Sequence, residues 1–438
     1  MPLIIVAFGI LILMLLIVVF KLNSFISFII VSIIVGIAEG MTPGKVLLSL
    51  QSGIGNTLSS MVLILGFGAM LGKLVADSGA AQKLTTSMVR LFGVKHIQYA
   101  LVVTGFIVGI PMFYSVGFVI LIPLIFAVAL NTRLPLLYIG IPMLASLSVT
   151  HGFLPPHPSP TAIAVMFKAD LGKTLLFGLA IAIPAITIAG PLFSRTLKNI
   201  KAVPLKEFTV SDQMDEYQLP GFWNSLFSAL LPLLIIASAT LFNFFVDENT
   251  TTKDIVNFIG HPAVALLISV LVSVFSLGLF CGKTMTEVMN SISASVSGIT
   301  MILFIIAGAG ALSQVLSDSG VSVYIGELFN KSGISPLFLG WLIATIIRVC
   351  VGSATIAGLT TAGIVAPMVT TGTANAELMV IAIGAGSLMF SHVNDGGFWL
   401  FKEYFNLSVK DTLKSWTVME TMVGTIGLIG VLVMNQFV

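Results

Sequence analysis

Uncharged apolar runs at Leu3–Phe20, Trp223–Val246 and Ala263–Phe280 reach or approach the roughly 20 residues that a helix needs to cross the hydrocarbon layer of a membrane. Lipid offers backbone N–H and C=O groups no partner, so runs of this kind satisfy their hydrogen bonds within the segment, as helices. Only 9% of the residues are charged, against about 25% in a soluble domain. The chain therefore reads as one all-α, polytopic membrane domain embedded in a lipid bilayer. Its first run has no basic residue ahead of it and no small-residue cleavage site before Lys21, so it reads as a span and not as a cleaved signal peptide. The net charge of +2 gives no indication of nucleic acid as a partner. Cys281 and Cys350 lie in or beside apolar segments without zinc or disulfide spacing, and read as plain buried residues.

A second feature is a recurrence at 241 residues. Asp77-Ser78-Gly79 returns as Asp318-Ser319-Gly320, and Ser146-Leu147 with Thr150-His151 returns as Ser387-Leu388 with Ser391-His392. A duplicated half in a membrane chain points to a transporter whose site lies between the repeats. The repeated polar patches are therefore the first places to look for it. Spans are predicted near 3–21, 24–39, 57–76, 134–150 and 174–195, with a two-legged segment at 98–130. The second half repeats them near 223–246, 263–281, 298–317, 376–391 and 416–436, with a two-legged segment at 337–370. Gly109-Ile110-Pro111 interrupts the first two-legged segment and Val351-Gly352-Ser353-Ala354-Thr355 the second. The polar stretch 196–222 reads as a linker between a first repeat, 1–195, and a second, 223–438.

Charge distribution decides how the two-legged segments are read. If both are re-entrant hairpins, each half has five true spans and the halves run in opposite directions. One face then carries 14 basic residues, the linker lysines among them, and the other carries Lys45, Lys168, Lys173, Lys253 and Lys331. The rich face is expected to be cytoplasmic, which places both termini outside. The expected fold is thus two inverted-topology repeats, each of about five spans plus a re-entrant hairpin and a broken helix.

Three polar clusters lie where lipid is a poor neighbour. In Ser146–Thr161, Pro155, Pro156, Pro158 and Pro160 break a helix around His151–His157 and leave backbone carbonyls without their usual partners. In Ser387–Phe398, Asn394 and Asp395 precede Gly396-Gly397, a second expected break, and His392 and Asp395 are titratable groups at the edge of an apolar run. The third is Arg348 with Gly352-Ser353-Ala354-Thr355; Arg348 is the only lysine or arginine in residues 332–401. Its planar, permanently charged fork matches a carboxylate with two parallel hydrogen bonds. His96 and His261 have no companion clusters and receive no role. No nucleotide-binding loop and no histidine-glutamate metalloprotease helix motif is present, which argues against an ATP-driven pump and an intramembrane protease.

These residues resemble the gluconate permease family of bacterial sugar-acid:proton symporters, nearly end to end. The most specific pieces are Gly66-Phe67-Gly68-Ala69-Met70-Leu71-Gly72-Lys73, Ser148–Thr161, Gly352-Ser353-Ala354-Thr355 and Ser391–Phe405. The resemblance implies a multi-pass protein of the bacterial inner membrane, inverted repeats with paired hairpins, and an elevator motion in a homodimer. Arg348 in its Ile-Arg-Val setting resembles the gluconate and idonate branch. Many relatives carry an acid in the first hairpin where this chain has Ser115, so the proton must use another group or couple differently.

The expectation is therefore a secondary transporter, not an enzyme, that imports gluconate or a related sugar acid with protons and needs no cofactor or metal. Arg348 is expected to hold the carboxylate, and Ser353, Thr355, Ser115, Thr150 and Asn394 the sugar hydroxyls. Asp395, His392, His151 and His157 are the candidate proton carriers, because histidine titrates near neutral pH and burial brings a carboxylate toward it. The nearest alternative is a permease for D-serine or another small carboxylate on the same fold. A cation/proton antiporter is the weaker one, since it needs an acidic pair at mid-membrane and Asp395 alone is available near a break.

Overall fold

Two helices much longer than the apolar runs within them form the spine of the protein. The computed structural model describes residues 2–112, 114–202, 214–242, 251–321, 335–393 and 395–438. All the regular structure among them is helical: α1 (Pro2–Met14), α2 (Ser24–Ala38), α3 (Pro43–Asp77), α4 (Ala80–Phe92), α5 (Ile97–Gly109), α6 (Tyr114–Thr132), α7 (Leu136–Phe153), α8 (Pro158–Phe167) and α9 (Leu171–Thr187) in the first half. In the second half are α10 (Phe222–Phe242), α11 (Thr251–Gly260), α12 (Pro262–Ser273), α13 (Met285–Asp318), α14 (Pro336–Val351), α15 (Ala354–Thr370), α16 (Ala376–Leu388), α17 (Gly396–Tyr404) and α18 (Val418–Met434).

The spine helices α3 and α13 have 35 and 34 residues, where the apolar runs predict spans of only 57–76 and 298–317. Polar residues such as Lys45, Gln51 and Asn290 interrupt hydropathy without interrupting helical backbone. Each helix instead starts at a threonine cap: Thr42 accepts from the Lys45 N–H, and Thr284 forms a reciprocal capping box with Glu287. Ser49 near the start of α3 donates to Asp318 at the end of α13 over 2.6 Å. Reciprocally, Ser291 near the start of α13 donates to Asp77 at the end of α3. The two helices therefore run antiparallel. This also corrects one expectation: the repeated Asp-Ser-Gly motif does not mark the site but fastens each spine helix to the other. Lys73 to Asp77 and Gln314 to Asp318, at 2.8 and 2.9 Å, occupy the remaining carboxylate oxygens.

Amphipathic α4 was not anticipated. Ala80, Ala81, Leu84, Thr85 and Met88 face inward, while Lys83 and Arg90 reach Glu216 of the linker at 3.8 and 2.7 Å. The Arg90 guanidinium beside Glu216 holds that carboxyl below the usual carboxylate range. The chain then bends by 108° between α4 and the segment that begins at Val94.

Both two-legged segments form helical hairpins. The legs of the first, α5 and α6, have 13 and 19 residues and those of the second, α14 and α15, have 16 and 17. The first legs, of 13 and 16 residues, fall short of the roughly 17–25 residues of a full crossing, while the second legs lie within it. The broken helices are observed as α7–α8 and α16–α17. α7 and α16 are buried nearly all round, the mark of helices at the centre of a bundle. They cross so closely that a Cβ on Gly384 would lie 2.0 Å from the Gly152 carbonyl oxygen. Only glycine permits that contact.

Candidate functional site

Where α7, the second hairpin, the break before α17 and the start of α18 converge, they enclose a cavity of about 340 Å³. This is the small end of the range for small-molecule sites, about 300–1,000 Å³. Arg348 lies in the last turn of α14, where a cation complements the helix dipole. Gly352 ends that helix in the left-handed region, φ +78°, which lets the backbone turn at once into α15. The Gly352 carbonyl accepts a hydrogen bond from Arg348 Nη1. Arg348 Nη2 donates to Asp395 Oδ2 at 2.5 Å, with 4% of the arginine and 16% of the aspartate side chain exposed.

Asp395 does two jobs at once. As the N-cap of α17 its Oδ1 accepts from the Gly397 N–H at 3.0 Å, while Oδ2 takes the arginine and a hydrogen bond from Ser391. Trp416 fixes Ser391 in turn, its Nε1 donating to Ser391 Oγ at 2.7 Å. A buried charge needs this degree of pairing to persist.

Glu420 in the first turn of α18 is 2% exposed, and its Oε1 accepts a hydrogen bond from Ser148 Oγ of α7. Glu420 Oε2, His151 Nδ1 and Arg348 Nε are buried without a hydrogen-bond partner, and all three side chains line the cavity. Tyr114, at the tip of the first hairpin, also lines it and lies 5.6 Å from His151, ring centre to ring centre.

Five of the residues predicted for the site thus meet at one cavity: Arg348, Ser353, Thr355, His151 and Asp395. Three others are engaged elsewhere. The Thr150 hydroxyl donates to the Leu147 carbonyl at 2.9 Å. His157 Nε2 donates to the Gly109 carbonyl at 2.7 Å and His392 Nε2 to the Val349 carbonyl at 3.1 Å. Each histidine thereby satisfies a carbonyl at the end of the first leg of a hairpin, where the helix itself supplies no donor. Ser115 is the second residue of α6, and Asn394 lies outside the described residues. Glu420 and Trp416 are site residues that the sequence reading passed over, whereas Ser148 and Tyr114 lay in the polar cluster and the first hairpin without being singled out. Asp395 is therefore not the one carboxylate at mid-chain polar sites. A signal for Glu420 existed, since it is the single acid inside the apolar run 416–436 and such residues are costly in a membrane.

A polar cavity where hairpin tips and broken helices meet inside a helical membrane domain is the kind of site that membrane transporters carry. The solved structures most like it in the described fold include the YdaH transporter of Alcanivorax borkumensis, with a TM-score of 0.70 at 14% identity over 94% of this chain and 98% of that one. MtrF of Neisseria gonorrhoeae matches with a TM-score of 0.61 at 15% identity, covering 93% of each chain. The GntP family permease model matches residues 1–437, and the chain belongs to that family. Among its relatives, the Gnt-II system L-idonate transporter of Escherichia coli is 50% identical over 99% of both chains. A high-affinity gluconate transporter of the same organism is 47% identical over the full length of both. The protein is accordingly a multi-pass permease of the bacterial inner membrane.

Proposed function

We propose that the protein imports a sugar acid, gluconate or its close isomer idonate, together with a proton. The observation that carries this reading is the buried Arg348–Asp395 pair at the wall of a small polar cavity. The substrate carboxylate replaces Asp395 on the guanidinium fork, and hydroxyls of Ser353 and Thr355 at the hairpin tip meet the sugar chain. Two anions then share one cation where water is excluded, and a proton taken up by Asp395 restores neutrality. When substrate and proton leave, Asp395 returns to Arg348, so the empty carrier also reorients as a neutral pair. Coupling of this kind spares the bare anion the cost of entering against an inside-negative potential, about 2.3 kcal/mol per charge per 100 mV.

Two inverted repeats, 1–195 and 223–438, joined by a cytoplasmic linker at 196–222, complete the reading. The antiparallel course of α3 and α13 supports it, because these helices are 241-residue equivalents. The test is counterflow of labelled gluconate in proteoliposomes, challenged with idonate, D-serine and citrate. Competition by idonate but not by the other two is expected. Preferential competition by D-serine would replace the sugar-acid reading with an amino-acid one.

A further inference from the structure

The exchange of carboxylates at Arg348 leaves a second carboxylate that lines the cavity, Glu420, unused. Glu420 is held in place through Oε1 by Ser148, while its Oε2 is buried and has no hydrogen-bond partner. His151 Nδ1, three residues beyond Ser148 on the same helix, is in the same condition. A buried acceptor without a partner carries a desolvation cost that a ligand hydroxyl removes, and an aliphatic chain does not. The cavity lining thus holds two chemically distinct sets of groups. One is the Arg348 guanidinium with the hairpin tip; the other, Glu420 and His151, offers oxygen and nitrogen atoms to groups that both donate and accept hydrogen bonds.

We propose that Glu420, positioned by Ser148, is the specificity-determining residue for the hydroxylated chain of the substrate, a substrate hydroxyl donating to Glu420 Oε2 while Arg348 holds the carboxylate. His151 serves the neighbouring hydroxyl. The proposal rests on the sugar-acid reading and extends it. On this assignment plain fatty acids of equal length and charge are expected to bind weakly: bound at Arg348, they leave Glu420 and His151 unpaired. Sites built to bond a substrate hydroxyl discriminate against analogues lacking it far more strongly than apolar pockets discriminate by size, by up to about 10⁴-fold.

The test compares the reconstituted wild-type carrier with Glu420→Ala, Glu420→Gln and Ser148→Ala. In each, gluconate and hexanoate compete against labelled gluconate in counterflow, and the ratio of their apparent inhibition constants is read. That ratio is independent of the amount of active protein. In Glu420→Ala the ratio of the hexanoate constant to the gluconate constant is expected to fall at least about tenfold, through loss of gluconate affinity with hexanoate little changed. Ser148→Ala, which frees Glu420 without removing it, shows a smaller fall of the same sign and serves if the alanine at 420 does not fold. An unchanged ratio in active Glu420 and Ser148 variants overturns the subsite. So does a Glu420→Gln carrier that exchanges gluconate with the wild-type ratio but no longer accumulates it down a proton gradient, because that assigns Glu420 to the proton. Wild-type protein that fails to exchange gluconate refutes the sugar-acid reading instead, and the two failures are thus told apart.

Discussion

Arg348 and Asp395, 47 residues apart in the chain, meet at 2.5 Å between Nη2 and Oδ2 where the second hairpin abuts the second broken helix. Neither could be carried alone at this depth. Removing one partner of a buried ion pair costs about 3–5 kcal/mol, most of it the penalty on the charge left behind. The pair therefore joins the second hairpin to the second broken helix. In the proposed cycle an incoming carboxylate meets a guanidinium already ordered and desolvated, and substrate binding is an exchange of one carboxylate for another.

Arg348→Lys keeps the charge and removes the fork. A charge-assisted hydrogen bond contributes about 1.5–3 kcal/mol, so the loss of one from the clamp is expected to weaken apparent gluconate affinity by roughly 10- to 100-fold. Competition counterflow at matched protein levels measures it. Near-normal affinity would make Arg348 a structural residue.

Asp395→Asn separates capping from charge. Asparagine is as good an N-cap as aspartate, so α17 is expected to stay in place. It carries no exchangeable charge, so uphill accumulation driven by a pH gradient is expected to vanish while gluconate exchange persists. Exchange never requires the empty, deprotonated carrier to reorient. Full accumulation by this variant would remove Asp395 from the coupling cycle.

His157, 3% exposed, spends its Nε2–H on the Gly109 carbonyl. His157→Phe leaves that buried acceptor unsatisfied, a cost of about 1–3 kcal/mol. Lower thermal stability in detergent is expected, with an unchanged ratio of protons to substrate in vesicles. A changed ratio at unchanged stability would return His157 to the proton pathway.

Sidedness follows from the basic asymmetry of the chain. Single cysteines replacing Asn199 and Asn249 in an otherwise cysteine-free carrier are expected to react with an impermeant maleimide from the cytoplasm and from outside, respectively. Reaction of both from one side is incompatible with inverted repeats.

Glu420 shows where sequence reading reached its limit. The breaks at Pro155-Pro156 and Gly396-Gly397 were legible because proline and glycine act on their own backbone. The importance of Arg348 and Asp395 was legible because charge is costly in an apolar setting wherever the chain folds, and both side chains are largely buried. Glu420 has no breaker beside it, and its meaning comes from Ser148, 272 residues away. His157 and His392 erred in the opposite direction. Their residue type suggested titration, whereas in space each meets a hairpin carbonyl.

The apolar runs, their breakers and the 241-residue recurrence by themselves determined a helical membrane protein with two hairpins and two broken helices. Each of these follows from properties a residue carries into any fold: its transfer cost into lipid, or its effect on φ and on the backbone N–H. Tertiary structure alone decided which polar groups share a cavity and which are used up as fasteners. It turned the Asp77 and Asp318 motifs into clasps between α3 and α13 and brought Glu420 to the same cavity as Arg348. A hydrogen bond between distant segments depends on where packing brings them, and no local pattern records that.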